Sequence, residues 1–164
     1  MLSSLKRHEE TGQRTLLSYG AQAAYPAAPP TESAEPKLNI TVIFTSVRST
    51  LAALQAAGRW ASRLGARITL LAPQVVPYPL PLASPDVEQH FSERKFQVLA
   101  EESKVETSVQ LLWCRDPRET IVAALAPHSL VVVGSRRSWL PTNDKRLARH
   151  LRRAGHEVIV TETE

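Results

Sequence analysis

The chain has a single cysteine, Cys114, among 164 residues. One thiol cannot close an internal disulfide, and no pair of CxxC motifs is present to hold a structural metal. This usage fits a reducing compartment, so a cytoplasmic location is expected. Cys114 ends the apolar run Val109–Cys114, where a plain buried thiol is expected rather than a nucleophile. No apolar run approaches the roughly 18–20 residues that a membrane span needs. The first residues lack the apolar stretch of a secretory signal. GxSxG, HExxH and a Walker lysine loop are also missing. The five histidines (His8, His90, His128, His150, His156) are scattered and complete no motif. These absences point away from membrane, metal and catalytic chemistry and toward a binding module.

The formal net charge is +4. Residues 1–37 are balanced, with Lys6, Arg7, Arg14 and Lys37 against Glu9, Glu10, Glu32 and Glu35. The excess therefore sits on the rest of the chain, a mild bias toward anionic partners. Residues 1–37 also differ in texture. Pro26, Pro29, Pro30 and Pro36 interrupt an Ala/Pro-rich stretch that cannot continue a helix. Leu2, Leu5, Leu16 and Leu17 are too sparse for a convincing amphipathic stripe. A flexible N-terminal tail is expected, followed by one domain over 38–164.

From Leu38 onward, strand and helix patterns alternate. Leu38–Thr45 is apolar and β-branched over a strand's length. Leu51, Leu54, Ala57, Ala61 and Leu64 then recur at three-to-four spacing, a helical stripe. Ser49 or Thr50 is placed to cap it, and Gly65 to end it. A second strand starts at Arg67 and is expected to stop near Pro73. Beyond the Pro-rich segment 77–85, Ser84-Pro85-Asp86 reads as a helix start, with the helix reaching Glu102. Val105–Cys114 is the third strand. Asp116-Pro117-Arg118-Glu119 opens the next helix, with Asp116 as cap and Pro117 first in the helix. Leu130–Val133 is a short buried strand, Asn143–Ala154 a basic helix, and Glu157–Thr161 a fifth strand. The alternation predicts a three-layer α/β sandwich, a five-stranded parallel sheet with helices on both faces.

Open sheets of this kind bind ligands beyond the carboxyl ends of their strands. The residues there are Thr45, Ser46 and Arg48 after the first strand, Pro73 after the second, and Arg115 after the third. Gly134, Ser135, Arg136 and Arg137 follow the fourth, with Thr142 beyond them. Four arginines at one edge suit a small anionic ligand, because guanidinium donors form a planar fork. The basic helix carries Lys145, Arg146, Arg149, His150, Arg152 and Arg153. It lacks interleaved aromatics, so a solvated face is expected there rather than a nucleic-acid surface.

The stretch Arg115–Ser135 resembles the universal stress protein pattern, in which a Gly-Asp-Pro-type turn, an amphipathic helix and a V-V-G-S strand end follow one another. The strand–helix opening at Ile40–Leu64, the second strand and the final E-V-I-V strand agree in order and spacing. The resemblance covers about residues 38–164 and implies the strand order 3-2-1-4-5. Many members of that family bind ATP through a glycine-rich loop whose backbone N–H groups meet the phosphates. Gly134 keeps the first glycine of the loop. Its second glycine falls on Arg137, its Gly-Ser pair on Pro141-Thr142, and the acid that ends the first strand on Thr45 or Ser46. The glycine usual after the third strand is Arg115, whose side chain is expected to project toward the cleft. These departures imply loss of the usual ATP site, with an adenine nucleotide or other phosphate ligand in an arginine-lined cleft as the alternative. The resemblance also implies a homodimer through the last strand, at Val158, Ile159 and Val160, which engages a further protein partner.

Overall fold

The computed structural model describes residues 14–19, 38–82 and 86–164, with the side chains of 38–82 and 91–164. Ten elements follow one another: β1 Arg14–Tyr19, β2 Asn39–Ile43, α1 Val47–Leu64, β3 Arg67–Val75, α2 Asp86–Glu101, β4 Thr107–Cys114, α3 Pro117–Ala124, β5 Leu130–Arg136, α4 Asn143–Arg153 and β6 Glu157–Thr163. They form one sheet in the order β1-β4-β3-β2-β5-β6. Without β1 this is the expected parallel order 3-2-1-4-5, built of β2 through β6.

The two-residue alternation of each strand sends side chains to opposite faces. Ile40 and Val42 of β2, Ile68 and Leu70 of β3, Val109 and Leu111 of β4, and Val132 of β5 meet α1 and α2 through Leu54, Ala57, Phe96 and Leu99. Ile43, Leu71, Leu112, Val131 and Val133 face the other way and meet Ile121 of α3 and Leu147, Ala148 and Leu151 of α4. Helices therefore cover both faces, which is why the central strands read as unbroken apolar runs.

The helix ends show both local and tertiary control. Asp116 caps α3 by accepting from the N–H groups of Arg118 and Glu119, with Pro117 first in the helix, as its sequence predicts. Gly65 closes α1 at φ 63°, a left-handed turn that costs glycine nothing. The start of α1 differs from expectation. Its cap is Ser46, which accepts from the N–H of Ser49. Ser49 and Thr50 lie inside the first turn and are fully buried.

Two strands also depart from expectation. β3 runs through Pro73 to Val75. Its pairing with β2 ends at Ile43 opposite Leu71, so from Ala72 onward only β4 flanks it. Proline is tolerated where a strand has one neighbour, because the missing donor has no ladder to serve there. The second departure lies within the expected tail. Residues 14–19 pair antiparallel with β4, from Arg14 opposite Leu112 to Tyr19 opposite Thr107. The sheet thus has six strands, and the edge that β4 would present is covered. The rest of residues 1–37 and the Ser84-Pro85 helix start lie outside the described residues.

Candidate functional site

At the centre of the sheet the carboxyl ends of β2 and β5 are tied together. The Thr45 hydroxyl donates to the Gly134 carbonyl at 2.8 Å, and the Thr45 N–H donates to Thr50 Oγ1 at 3.2 Å. Gly134 is buried under the first turn of α1. A Cβ built on it would sit 2.0 Å from the Ser49 carbonyl oxygen and 2.4 Å from the carbonyl carbon. Only glycine permits this approach. Here its missing side chain admits a helix turn of the same chain.

Several neighbouring polar groups are likewise bonded from within, whereas the buried Ser49 Oγ has no hydrogen-bond partner. Ser135 Oγ and Thr142 Oγ1 share a hydrogen bond of 3.0 Å. Thr142 caps α4 by accepting from the Lys145 N–H at 3.3 Å. The Arg137 N–H donates to the Thr163 carbonyl at 2.8 Å. The side chains of Arg48, Arg136 and Arg137 are exposed.

Arg115 does not project into a shared cleft with them. Its guanidinium donates to the carbonyls of Val76 and Leu80, the latter at 2.6 Å. It also stacks over the Tyr78 ring with its central carbon 4.0 Å from the centroid. The fork is spent on holding the Pro-rich loop after β3. Pro73 is half-buried inside β3. The structure thus brings together Thr45, Ser46, Gly134, Ser135 and Thr142, places Arg115 and Pro73 at the β3–β4 end, and leaves the other three arginines in solvent.

A second feature adds Trp139 and Leu140, which the sequence pattern did not single out, to residues of α4 and β6. The β5–α4 connection, α4 and β6 enclose a depression of about 500 Å³ lined by Trp139, Leu140, Lys145, Arg149, Val160 and Glu162, among others. Trp139 is 92% exposed and Leu140 54%. Lys145 bridges the floor, donating to the Ser138 carbonyl at 2.9 Å and pairing with Glu162 Oε1 at 2.7 Å. That contact, followed by the Arg137 charge, holds the Glu162 carboxyl below its ordinary pKa. The signal in the sequence is the apolar pair Trp139-Leu140 inside an otherwise polar loop.

The three β6 residues expected at the dimer edge divide between the faces. Val158 is buried and Val160 half-buried against the α3/α4 face, whereas Ile159 is 37% exposed on the other. Cys114 is buried, with its thiol donating to the Gln74 carbonyl at 3.6 Å. Desolvation pushes its pKa up, and Asp116 adds to that, against lowering contacts from Thr120 and Gln74. Among the described residues, no three His, Cys, Asp or Glu side chains gather to hold a metal, and no helix is long and apolar enough to cross a membrane.

The architecture is that of the universal stress proteins. A universal stress protein family member from Burkholderia pseudomallei superposes with a TM-score of 0.52 at 20% identity, over 75% of this chain and 94% of that one. The universal stress protein of Archaeoglobus fulgidus gives 0.53 at 17% identity, over 75% and 92%. A universal stress protein solved in complex with cAMP gives 0.52 at 15% identity, over 78% and 98%. The sequence matches no family model and no curated protein.

Proposed function

We propose that the chain is a universal stress protein-like binding and regulatory module that acts in the cytoplasm as a homodimer, engages a protein partner, and does not use the family's ATP site. The observation that carries this reading is the contact between Gly134 and Ser49. The first turn of α1 packs on the sheet face at Gly134, beside the strand ends where backbone N–H groups would meet a phosphate. Arg137 and Pro141 stand where the loop needs glycines, and Pro141 has no N–H to offer. Support for assembly comes from the other side of the sheet. β6 is the last strand, and exposed Ile159, Trp139 and Leu140 lie along or beside it. A strand edge with apolar neighbours is completed by its own copy across a two-fold axis. Buried, unpaired Cys114 fits a reducing cytoplasm.

Calorimetry with ATP on the chain carrying Arg146→Gln/Arg153→Gln, so that the basic face of α4 does not contribute, tests the reading: no affinity tighter than about millimolar is expected, because the loop offers few free donors. Micromolar ATP binding would refute it. A second reading, a nucleotide or other phosphate ligand at the strand ends, is favoured by the same-fold protein that was solved with cAMP. A parallel titration with cAMP decides between the two.

A further inference from the structure

α3 and α4 lie on the same face of the sheet, where Ile121 of α3 and Leu147, Ala148 and Leu151 of α4 share one core. Outside that core they enclose a cavity of about 260 Å³. Its lining is Arg118 from α3 and Arg146, Arg149, His150 and Arg153 from α4. The four α4 residues stand at intervals of three, four and seven, so they form one stripe on the helix. All five side chains are exposed. Among the described residues none of them is held in an ion pair. The acids closest in sequence are Asp116, which is committed to capping α3, with Glu119 and Asp144. None of the three lines the cavity.

Like charges at these intervals repel one another, and the short cavity concentrates them. A helix that needed only a solvated face would be better served by glutamates alternating with the arginines. The groove offers donors almost without acceptors, since arginine accepts nothing and His150 contributes at most one acceptor nitrogen. It has no aromatic ring on which a base could stack, as single-stranded nucleic acid requires. Its volume lies below the usual range for drug-sized ligands, which selects a compact anion over an extended strand.

We infer that the Arg118–Arg146–Arg149–His150–Arg153 groove is a binding site for a compact oligophosphate, either free or as the linked phosphates of a small molecule. Each guanidinium can present two parallel N–H groups to a phosphoryl oxygen pair, and linked phosphates bring several such pairs within one cavity. The groove shares no residue with the strand-end crevice, so its fate is separate from that of the proposed function.

Titration calorimetry of the full chain with tripolyphosphate tests the site. Binding is expected, and Arg146→Gln/Arg153→Gln should weaken it by about tenfold or more, because charge-assisted bidentate contacts are lost. Arg59→Gln/Arg63→Gln removes the same charge from exposed positions of α1 and should leave the affinity within about twofold. The groove variant should also melt no lower than the parent without ligand, since it relieves repulsion, and should lose the ligand-induced rise in melting temperature. Absence of tripolyphosphate binding, or equal weakening by the α1 variant, would overturn the inference. So would tighter binding of an RNA or DNA oligonucleotide at equal phosphate concentration through the same arginines.

Discussion

Replacing Gly134 by alanine probes the close packing of β5 against the first turn of α1. The new methyl would lie 2.0 Å from the Ser49 carbonyl oxygen and 2.4 Å from its carbon, whereas ordinary contacts lie near 3.5–4.0 Å. Relief therefore needs a backbone movement of well over an ångström. The first turn of α1 resists it, being held by the Ser46 cap, the Thr45–Thr50 bond and the Thr45–Gly134 bond. Overpacking that forces backbone shifts costs typically about 1–3 kcal/mol and occasionally more. With two backbone atoms in the way, about 3 kcal/mol is expected. For a domain of this size that corresponds to a fall in Tm on the order of 10 °C. Gly65→Ala is the reference. Gly65 has φ 63° but no atom within 4 Å of its added Cβ, so the backbone penalty alone applies, about 1 kcal/mol. Urea and thermal unfolding of both variants would measure the difference. If Gly134→Ala costs no more than Gly65→Ala, α1 does not pack on β5 this closely and the support drawn from that contact fails.

Light scattering at tens of micromolar should find a dimer, and Ile159→Lys, which places a charge at the exposed apolar position of β6, should dissociate it; a monomeric parent protein would remove the basis for the interface. Glu162→Gln should lower stability at neutral pH by breaking the bond to Lys145. Because the folded carboxyl titrates below its ordinary value of 4.5, that contribution is present above this pH and fades as the pH falls through the depressed value. A difference between variant and parent that persists unchanged to pH 2 would show that the pair does not act through ionisation. Cys114, buried and with its pKa raised, should alkylate slowly in the native protein at pH 8 and rapidly in urea. Equal rates would place the thiol in solvent.

The sequence by itself determined the features that depend on neighbours along the chain. Asp116-Pro117 and Gly65 mark helix ends because capping is settled within four residues. The apolar runs of β2, β3, β4 and β5, alternating with helical stripes, determine the parallel doubly covered sheet because each element must bury its own apolar face. Tertiary structure decided the rest. Residues 14–19 are too short and too weakly patterned to declare a strand, and become one because the edge of β4 supplies partners for their backbone. Pro73 reads as a stop, yet sits inside β3 because β2 has already ended beside it. Arg115 and Arg137 read as members of one cluster because sequence shows which residues follow strands. It does not show that one guanidinium turns back onto the carbonyls of a loop while the other faces solvent. The arginines that do converge come from α3 and α4, which are separated by β5. Their meeting follows from two helices docking on the same face, a consequence of connection handedness and burial that no local pattern encodes.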